Sequence, residues 1–431
     1  MNAFTGVFDR AGSTLGMMDD LQVAVHTYDG CARGCPGCLV DKHFKNDARF
    51  RPILPPSDLS IVHSRVSEYF DWVRATLNTK GDGYFGKEGY KVEHFSYTFR
   101  FGNHAELPLD SLEEIAAAMP CENRVFSTGP TEDVAKFAEL RKRQPGRYFL
   151  EIIMDPLVDS GEAIRDMILE MRRNGILGYP EILLTRRMLD AFTPERFVDH
   201  LAPLGNIGAQ VQFGRYSPSR TRGFASSQML PVDEEVEWLA RFAALVVERG
   251  YDMHPIPLGE YAVTLLDEYG EMAARGADGR VAEERLPEPT PFDARIVREK
   301  TRDILLTSLY VDHNLDLFVW SESMGQHVLD SNLGFKPLGN IRQRSIQDIV
   351  CEPGGGIDRM LSGIVRELVT HPKCSGCRYK SFCASHAVPL FRKWHPDDGR
   401  HCYGYLPVIR EFQKDVAFLD NMVEGFKKLG F

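Results

Sequence analysis

From about residue 21 to 257, short runs rich in β-branched and aromatic residues alternate with longer amphipathic ones. That alternation is the pattern of βα units around a parallel sheet, and it fixes the fold class as α/β. Six strands are expected, at 21–28, 92–101, 124–128, 147–154, 180–187 and 206–213, with helices near 59–77, 110–119, 131–143, 160–173, 194–203 and 233–249. In the last helix, "DEEVEWLARFAALVVER", apolar residues recur at helical spacing behind an acidic start that suits the helix dipole. Right-handed crossovers put the C-terminal end of every strand, and the loop after it, on one face. A ligand belongs on that face.

Beyond residue 257 the pattern changes. Residues 258–303 are charged, interrupted by Gly and Pro, and poorly periodic, as a linker is. "LLTSLYVDHNLDLFVWSES" (305–323) reads as a hairpin turning at "DHN", "RSIQDIV" and "GIDRMLSGIVRELV" as short helices, and the C-terminal stretch as an amphipathic helix packed back on the barrel. A chain of 431 residues can bury one large core and a smaller one without staples. It has no basic and apolar leader and no apolar run of spanning length, so it is expected to be cytoplasmic with no membrane contact. A net charge of -10 argues against a broad phosphate-binding surface, hence no nucleic acid; the basic run "RKRQPGR" reads as a solvated helix end.

The nine cysteines are odd in number and mostly fall in two tight groups, which suits reduced, metal-holding thiols better than a disulfide framework. Cys31, Cys35 and Cys38 follow the first strand directly and so sit on the ligand face. A structural zinc site takes four ligands; three thiolates on one loop suit a [4Fe–4S] cluster with one iron left open. The pattern Cys-x3-Cys-x2-Cys after strand one of a βα barrel resembles the radical S-adenosylmethionine superfamily, with Cys31, Cys35 and Cys38 at its cluster-ligand positions. The resemblance implies that the amino and carboxylate groups of S-adenosylmethionine chelate the open iron. An electron then cleaves the sulfonium C–S bond, and the 5′-deoxyadenosyl radical abstracts hydrogen from substrate. Gly37 departs from the family's aromatic or large apolar residue before the third cysteine.

Further cofactor residues follow from the same resemblance. Gly102, Asn103 and Glu106 stand where the family commonly has Gly-Gly-Glu-Pro, against the plainer reading of an ordinary βα turn. Ser127 and Asp155 close strands three and four, and Arg186 or Arg187 closes strand five, where one of them meets either the cofactor carboxylate or a neighbouring helix. His26, Tyr28, Asp29 and His104 border these loops, Tyr97, Gln210 and Gln212 lie on strands with one side facing the interior, and Arg215 and Tyr216 follow strand six.

The second group, Cys374, Cys377, Cys383 and Cys402, has the spacing Cys-x2-Cys-x5-Cys-x18-Cys. Alone it fits a zinc ribbon. With the triplet, and with "PLGNIRQRSIQDIV" before it, it resembles the SPASM extension of peptide-modifying radical enzymes. The inner-cluster ligands of that extension are missing: "VWSES" ends the hairpin and Ala387 stands in for a cysteine. One auxiliary [4Fe–4S] cluster is therefore expected, for electron transfer or support. Cys121 reads as an inert thiol, Cys351 as one with a small chance of being a hydrogen-atom donor or replacement ligand.

Together these readings predict a partial (β/α)6 barrel over residues 15–260, a linker over 261–304, a small C-terminal iron–sulfur domain over 305–405 and a terminal helix over 406–431. The cofactors are two [4Fe–4S] clusters and S-adenosylmethionine, and the electron donor is of the flavodoxin or ferredoxin type. The expected substrate is a peptide or protein side chain; a small polar metabolite such as a sugar or amino acid is the alternative. The latter is favoured by the roughly 30 residues before the triplet, too few for a fused peptide-recognition domain. A non-enzymatic iron–sulfur or zinc-ribbon protein is the remote third reading.

Overall fold

The computed structural model describes residues 20–28, 30–31, 54–77, 92–131, 133–215, 228, 230–256, 294–319, 337–377, 380, 406 and 410. Seven strands run parallel in chain order: β1 (Asp20–Tyr28), β2 (His94–Phe101), β3 (Asn123–Thr128), β4 (Arg147–Met154), β5 (Leu177–Leu184), β6 (Ala209–Arg215) and β7 (Met253–Ile256). β8 (Ser308–Val311) lies parallel to β1 on its other side, β9 (Asp316–Val319) turns back antiparallel to β8, and β10 (Gly339–Asn340) pairs with β9. The expected hairpin therefore exists, but from Ser308 to Val319: residues 305–307 end a helix that begins at Ala294, inside the stretch read as linker, and residues 320–323 lie outside the described residues. The first strand of the hairpin continues the same sheet.

The helices between strands are α1 (Pro56–Leu77), α2 (Leu109–Ala118), α3 (Val134–Arg143), α4 (Gly161–Arg173), α5 (Arg186–Ala191), α6 (Pro194–His200) and α7 (Val232–Glu248). α8 (Ala294–Thr307), α9 (Ile346–Val350), α10 (Gly356–Thr370) and the single turn α11 (Pro372–Ser375) follow. All six expected strands and the six helices between them are present. β7, "MHPI", is a seventh parallel strand that the sequence reading did not include; its Pro255 is tolerated because β7 is the edge of the sheet among the described residues. The expected C-terminal helix lies largely outside the described residues.

Strand alternation sorts the side chains into two faces. On one face Val23, Val25, Tyr97, Phe99, Phe126 and Leu150 meet the helices through Val62, Val66, Ile115 and Phe137, with Phe99 and Phe126 rings 4.6 Å apart and Phe126 and Phe137 5.7 Å apart. Tyr97 belongs here, its hydroxyl 3.1 Å from His63 Nδ1 on α1, and not to the interior. Each such buried large side chain contributes on the order of 1.5–3 kcal/mol. On the opposite face Val125, Phe149 and Leu177 form a small apolar floor, and Ala24, Tyr310 and Phe318 a second one. Above the first floor that face turns polar.

Arg100 on β2 reaches Glu181 on β5 at 3.4 Å. Three strand spacings measure about 14 Å on a flat sheet, so the sheet curls around this contact into a partial barrel. The C-terminal elements close the β1 side: Tyr69 donates to Leu306 O (2.9 Å), Arg65 to Ile341 O (3.1 Å), and Arg342 pairs with Asp58 (2.6 Å). Among the described residues no helix is long and apolar enough to cross a membrane.

Candidate active site at the carboxyl ends of the strands

β1 ends at Tyr28, and Gly30 and Cys31 follow on the face predicted to carry a ligand. Two glycines let this loop pack down. A Cβ on Gly30 would overlap the Tyr28 hydroxyl, and one on Gly102 would lie 2.7 Å from the Tyr28 carbonyl oxygen and closer still to its ring. The Asn103 amide donates to Gly30 O (2.9 Å), its side-chain oxygen accepts from the Gly129 amide (2.9 Å), and its side-chain nitrogen donates to Glu106 (2.9 Å). Asn103 thus ties the ends of β1, β2 and β3 together. The turn that carries Gly102, Asn103 and Glu106 is thereby joined to Gly30, the residue before Cys31.

Beneath this knot His104 is fully buried, with Nε2 2.8 Å from Thr27 Oγ1 and Nδ1 2.9 Å from the Ser127 carbonyl. A carbonyl only accepts, so Nδ1 carries the proton and Nε2 accepts from Thr27. Burial pushes the His104 pKa down to about 4, against the partial opposition of its backbone contacts, so the ring is neutral at neutral pH. Tyr28 is buried next to it, and its hydroxyl has no hydrogen-bond partner among the described residues. Burial, then the nearby Glu106 carboxylate and Cys31 thiol, hold its pKa well above that of an ordinary tyrosine.

Ser127 connects the knot to the interior. Its carbonyl holds His104, and its hydroxyl donates to Glu151 on β4, which also receives Arg100. Arg100 is shared with Glu181 on β5, and all four side chains are 5% exposed or less. Sequence reasoning missed Arg100, Glu151 and Glu181. A signal existed: each charge stands among apolar residues within a strand, where it needs a partner of opposite sign. Gln210 and Gln212 on β6 continue the same buried face, and on β1 His26 lies 3.4 Å from the Tyr310 hydroxyl and edge-on to His313.

The remaining candidates stand farther off. The Asp155 carboxylate accepts from the Leu157 amide (3.1 Å) and so closes its own turn. Arg186 opens α5, capped by Thr185, and both its terminal nitrogens meet Glu234 on α7, one at 2.6 Å. Arg187 meets Gln228 through its backbone amide. The Arg215 side chain, Asp29 and Tyr216 lie outside the described residues, as do Cys35, Cys38, Cys383 and Cys402.

Cys374 and Cys377 occupy a tight turn after α10, with the Cys377 amide donating to Cys374 O (3.0 Å). Both are half-buried. Cys351 ends α9, where burial pushes its thiol up despite nearby Arg302. Cys121 precedes β3, and its thiol lies 3.1 Å from Asn123 O, at the end of the strand opposite to the candidate site.

No family model matches the sequence, and no curated protein matches it. Among solved structures, native anSMEcpe with bound AdoMet and Kp18Cys peptide is similar, with a TM-score of 0.56 and 12% identity over 94% of this chain and 99% of that one. That protein is an anaerobic sulfatase-maturating enzyme of the radical S-adenosylmethionine class. The likeness is one of fold, a curled parallel sheet flanked by helices that forms a partial barrel.

Proposed function

We propose that this protein is a radical S-adenosylmethionine enzyme acting on a peptide or protein side chain. The observation that carries the reading is the knot around Asn103, which joins Gly30, the residue before Cys31, to the Gly102–Glu106 turn and to Gly129 at the carboxyl ends of the strands. The neighbour with AdoMet and peptide bound supports it through the fold. The residues fit the implied cofactors: Cys31 is the first of three closely spaced thiols in the sequence, and the buried Tyr28 hydroxyl, with no hydrogen-bond partner among the described residues, lies against Gly30. Cys35 and Cys38 complete the ligand set of an N-terminal cluster. When bound, the cluster and S-adenosylmethionine supply an electron that breaks the sulfonium C–S bond and a 5′-deoxyadenosyl radical that takes hydrogen from substrate.

The chain's own residues orient that chemistry. Gly102, Asn103 and Glu106 offer backbone and carboxylate acceptors to the methionyl ammonium, Ser127 at the end of strand three belongs to the same cofactor set, Asp155 lies near the ribose, and Arg186 receives the methionyl carboxylate. Arg186 is engaged by Glu234, so this last role requires an exchange of partners. Cys374, Cys377, Cys383 and Cys402 hold one auxiliary [4Fe–4S] cluster in the C-terminal region, closed by four thiolates. The protein works in the cytoplasm with a reducing flavodoxin or ferredoxin-type donor. A second reading, dehydrogenation or epimerisation of a small polar metabolite, is favoured by the charged inner row of Arg100, Glu151 and Glu181, which suits a polar ligand.

Anaerobic reconstitution tests the proposal. The wild-type chain is expected to hold about eight irons by the three-plus-four ligand arrangement. Joint replacement of Cys31, Cys35 and Cys38 by Ala should leave about four and abolish 5′-deoxyadenosine formation. Undiminished cofactor cleavage by that variant would sink the assignment, and zinc at the C-terminal group would replace the auxiliary cluster with a ribbon.

A further inference from the structure

Tyr28 has no chemical role assigned to it above, yet its side chain lies against Gly30 and Gly102, beside Cys31. Its ring is held on several sides: by Gly30 and Gly102, which have no room for a Cβ, and by His104, whose ring lies edge-on at 5.8 Å. The hydroxyl lies against Gly30, the residue before Cys31, and has no hydrogen-bond partner among the described residues. A buried hydroxyl left unpaired costs roughly 1–3 kcal/mol, whereas a phenylalanine of the same shape costs nothing of the kind. The missing acceptor is accounted for by a group that arrives at this loop, and the group implied there brings sulfur acceptors.

We infer that the Tyr28 hydroxyl donates a hydrogen bond to a sulfur at the Cys31 corner of the N-terminal cluster and so raises its reduction potential. The inference rests on the functional reading above. Hydrogen bonds to cluster sulfurs are among the protein's means of setting potential. The reduced cluster carries one more negative charge than the oxidised one, so a donor favours the reduced form and its loss makes the cluster harder to reduce.

The test is a potentiometric titration, followed by electron paramagnetic resonance, of the anaerobically reconstituted full-length chain without S-adenosylmethionine. Tyr28→Phe should keep its iron, and the midpoint of the N-terminal cluster should move to lower potential while that of the auxiliary cluster stays put. Placing 3-fluorotyrosine at position 28, a stronger donor of nearly the same shape, should move the midpoint the other way, which keeps the test open if the Phe variant fails to assemble. Midpoints that match wild type in both variants overturn the inference. So does a difference that appears only after S-adenosylmethionine is added, since the acceptor is then the cofactor. A wild-type chain with no cluster at the triplet overturns the functional reading, and the inference with it.

Discussion

Cys31 and Cys374 both stand on short turns, but the two turns are held by different means. The Cys31 turn is fixed by partners far away in sequence: Asn103 on its backbone, Gly129 beyond Asn103, His104 between Thr27 and Ser127, and Ser127 in turn on Glu151. Five strands of the sheet contribute to its position once Arg100 and Glu181 are included. The bonds described at the Cys374 turn all come from nearby in sequence, within residues 371–380: the Cys374 and Ser375 amides donate to His371 O (3.0 and 2.9 Å), the Lys373 amide to His371 Nδ1 (3.2 Å), and Lys380 Nζ to Ser375 O (3.1 Å). Placement of the first thiol is a property of the barrel, and placement of the second a property of a local sequence. The first should therefore respond to substitutions deep in the sheet, and the second should not.

Glu151→Ala should have the largest effect. It removes the acceptor shared by Arg100 and Ser127 and leaves a guanidinium buried at 4% exposure with one carboxylate fewer. Breaking a buried pair in this way costs about 3–5 kcal/mol. Denaturant unfolding should register that loss, and iron analysis of the surviving folded protein should find the N-terminal cluster depleted and the Cys374 group loaded. Equal depletion at both groups would break the comparison.

The next effect is one of pH. His104 has a folded pKa of about 4 against 6.5 for the free side chain, so the unfolded chain takes up the proton first as pH falls. Its contribution is fully present above pH 6.5 and is lost between 6.5 and 4. At about 1.4 kcal/mol per pKa unit the loss amounts to about 3 kcal/mol. Stability measured in urea at pH 7.5 and 4.5 should fall more for wild type than for His104→Gln by roughly this amount. Identical slopes would mean that His104 is not held neutral by the barrel.

Much of the frame that sets up this comparison was legible in the sequence. The β4 strand at 147–154 and the helices α2, α4 and α7 were readable to within a residue, because their hydrophobic periods are clean and their ends carry turn residues. β5 was displaced: Pro180 looked like a strand start, but the strand begins at Leu177, and the ladder to β6 begins only at Glu181, so one side of Pro180 has no partner for its absent N–H to disappoint. "TRR" looked like a strand end, whereas Thr185 caps α5 by accepting from the Met188 amide (3.2 Å). The position of the Asn103 turn was visible, but its bonds to Gly30 and Gly129 were not, since they join residues that only the sheet brings together. The Arg100, Glu151 and Glu181 row escaped for the same reason: each charge interrupts its own strand, and the pairing exists only across strands.

Two glycines sharpen the contrast at smaller cost. Gly102→Ala puts a Cβ 2.7 Å from the Tyr28 carbonyl oxygen, with backbone on one side and a locked ring on the other. Overpacking of this kind costs about 1–3 kcal/mol, and the expected result is a weakened N-terminal cluster with the auxiliary iron retained. Gly376, between Cys374 and Cys377, has φ of -96° and open space where its Cβ would be. Gly376→Ala should change stability by no more than about 0.5 kcal/mol and leave both clusters filled. Iron counts and unfolding curves on the two variants check the pair, and a harmless Gly102→Ala would show that the Cys31 turn is not clamped.

Arg186 offers the smallest effect and marks how far the cofactor set extends along the strand ends, since it follows β5, four strands from Cys31. Its pair with Glu234 is bidentate but 31% and 42% exposed, and an exposed pair contributes about 1 kcal/mol or less. Arg186→Gln and Glu234→Gln should therefore lower stability alike, and the double variant no further than either alone. Affinity for S-adenosylmethionine separates the two roles of the arginine. Glu234→Gln frees the guanidinium, so affinity should hold or rise, whereas Arg186→Gln removes the partner proposed for the methionyl carboxylate, so affinity should fall. Equilibrium dialysis of the reconstituted variants reads both. Should Arg186→Gln bind the cofactor as wild type does, the arginine belongs to the α5–α7 contact alone, and the cofactor set ends at the loops tied together by Asn103.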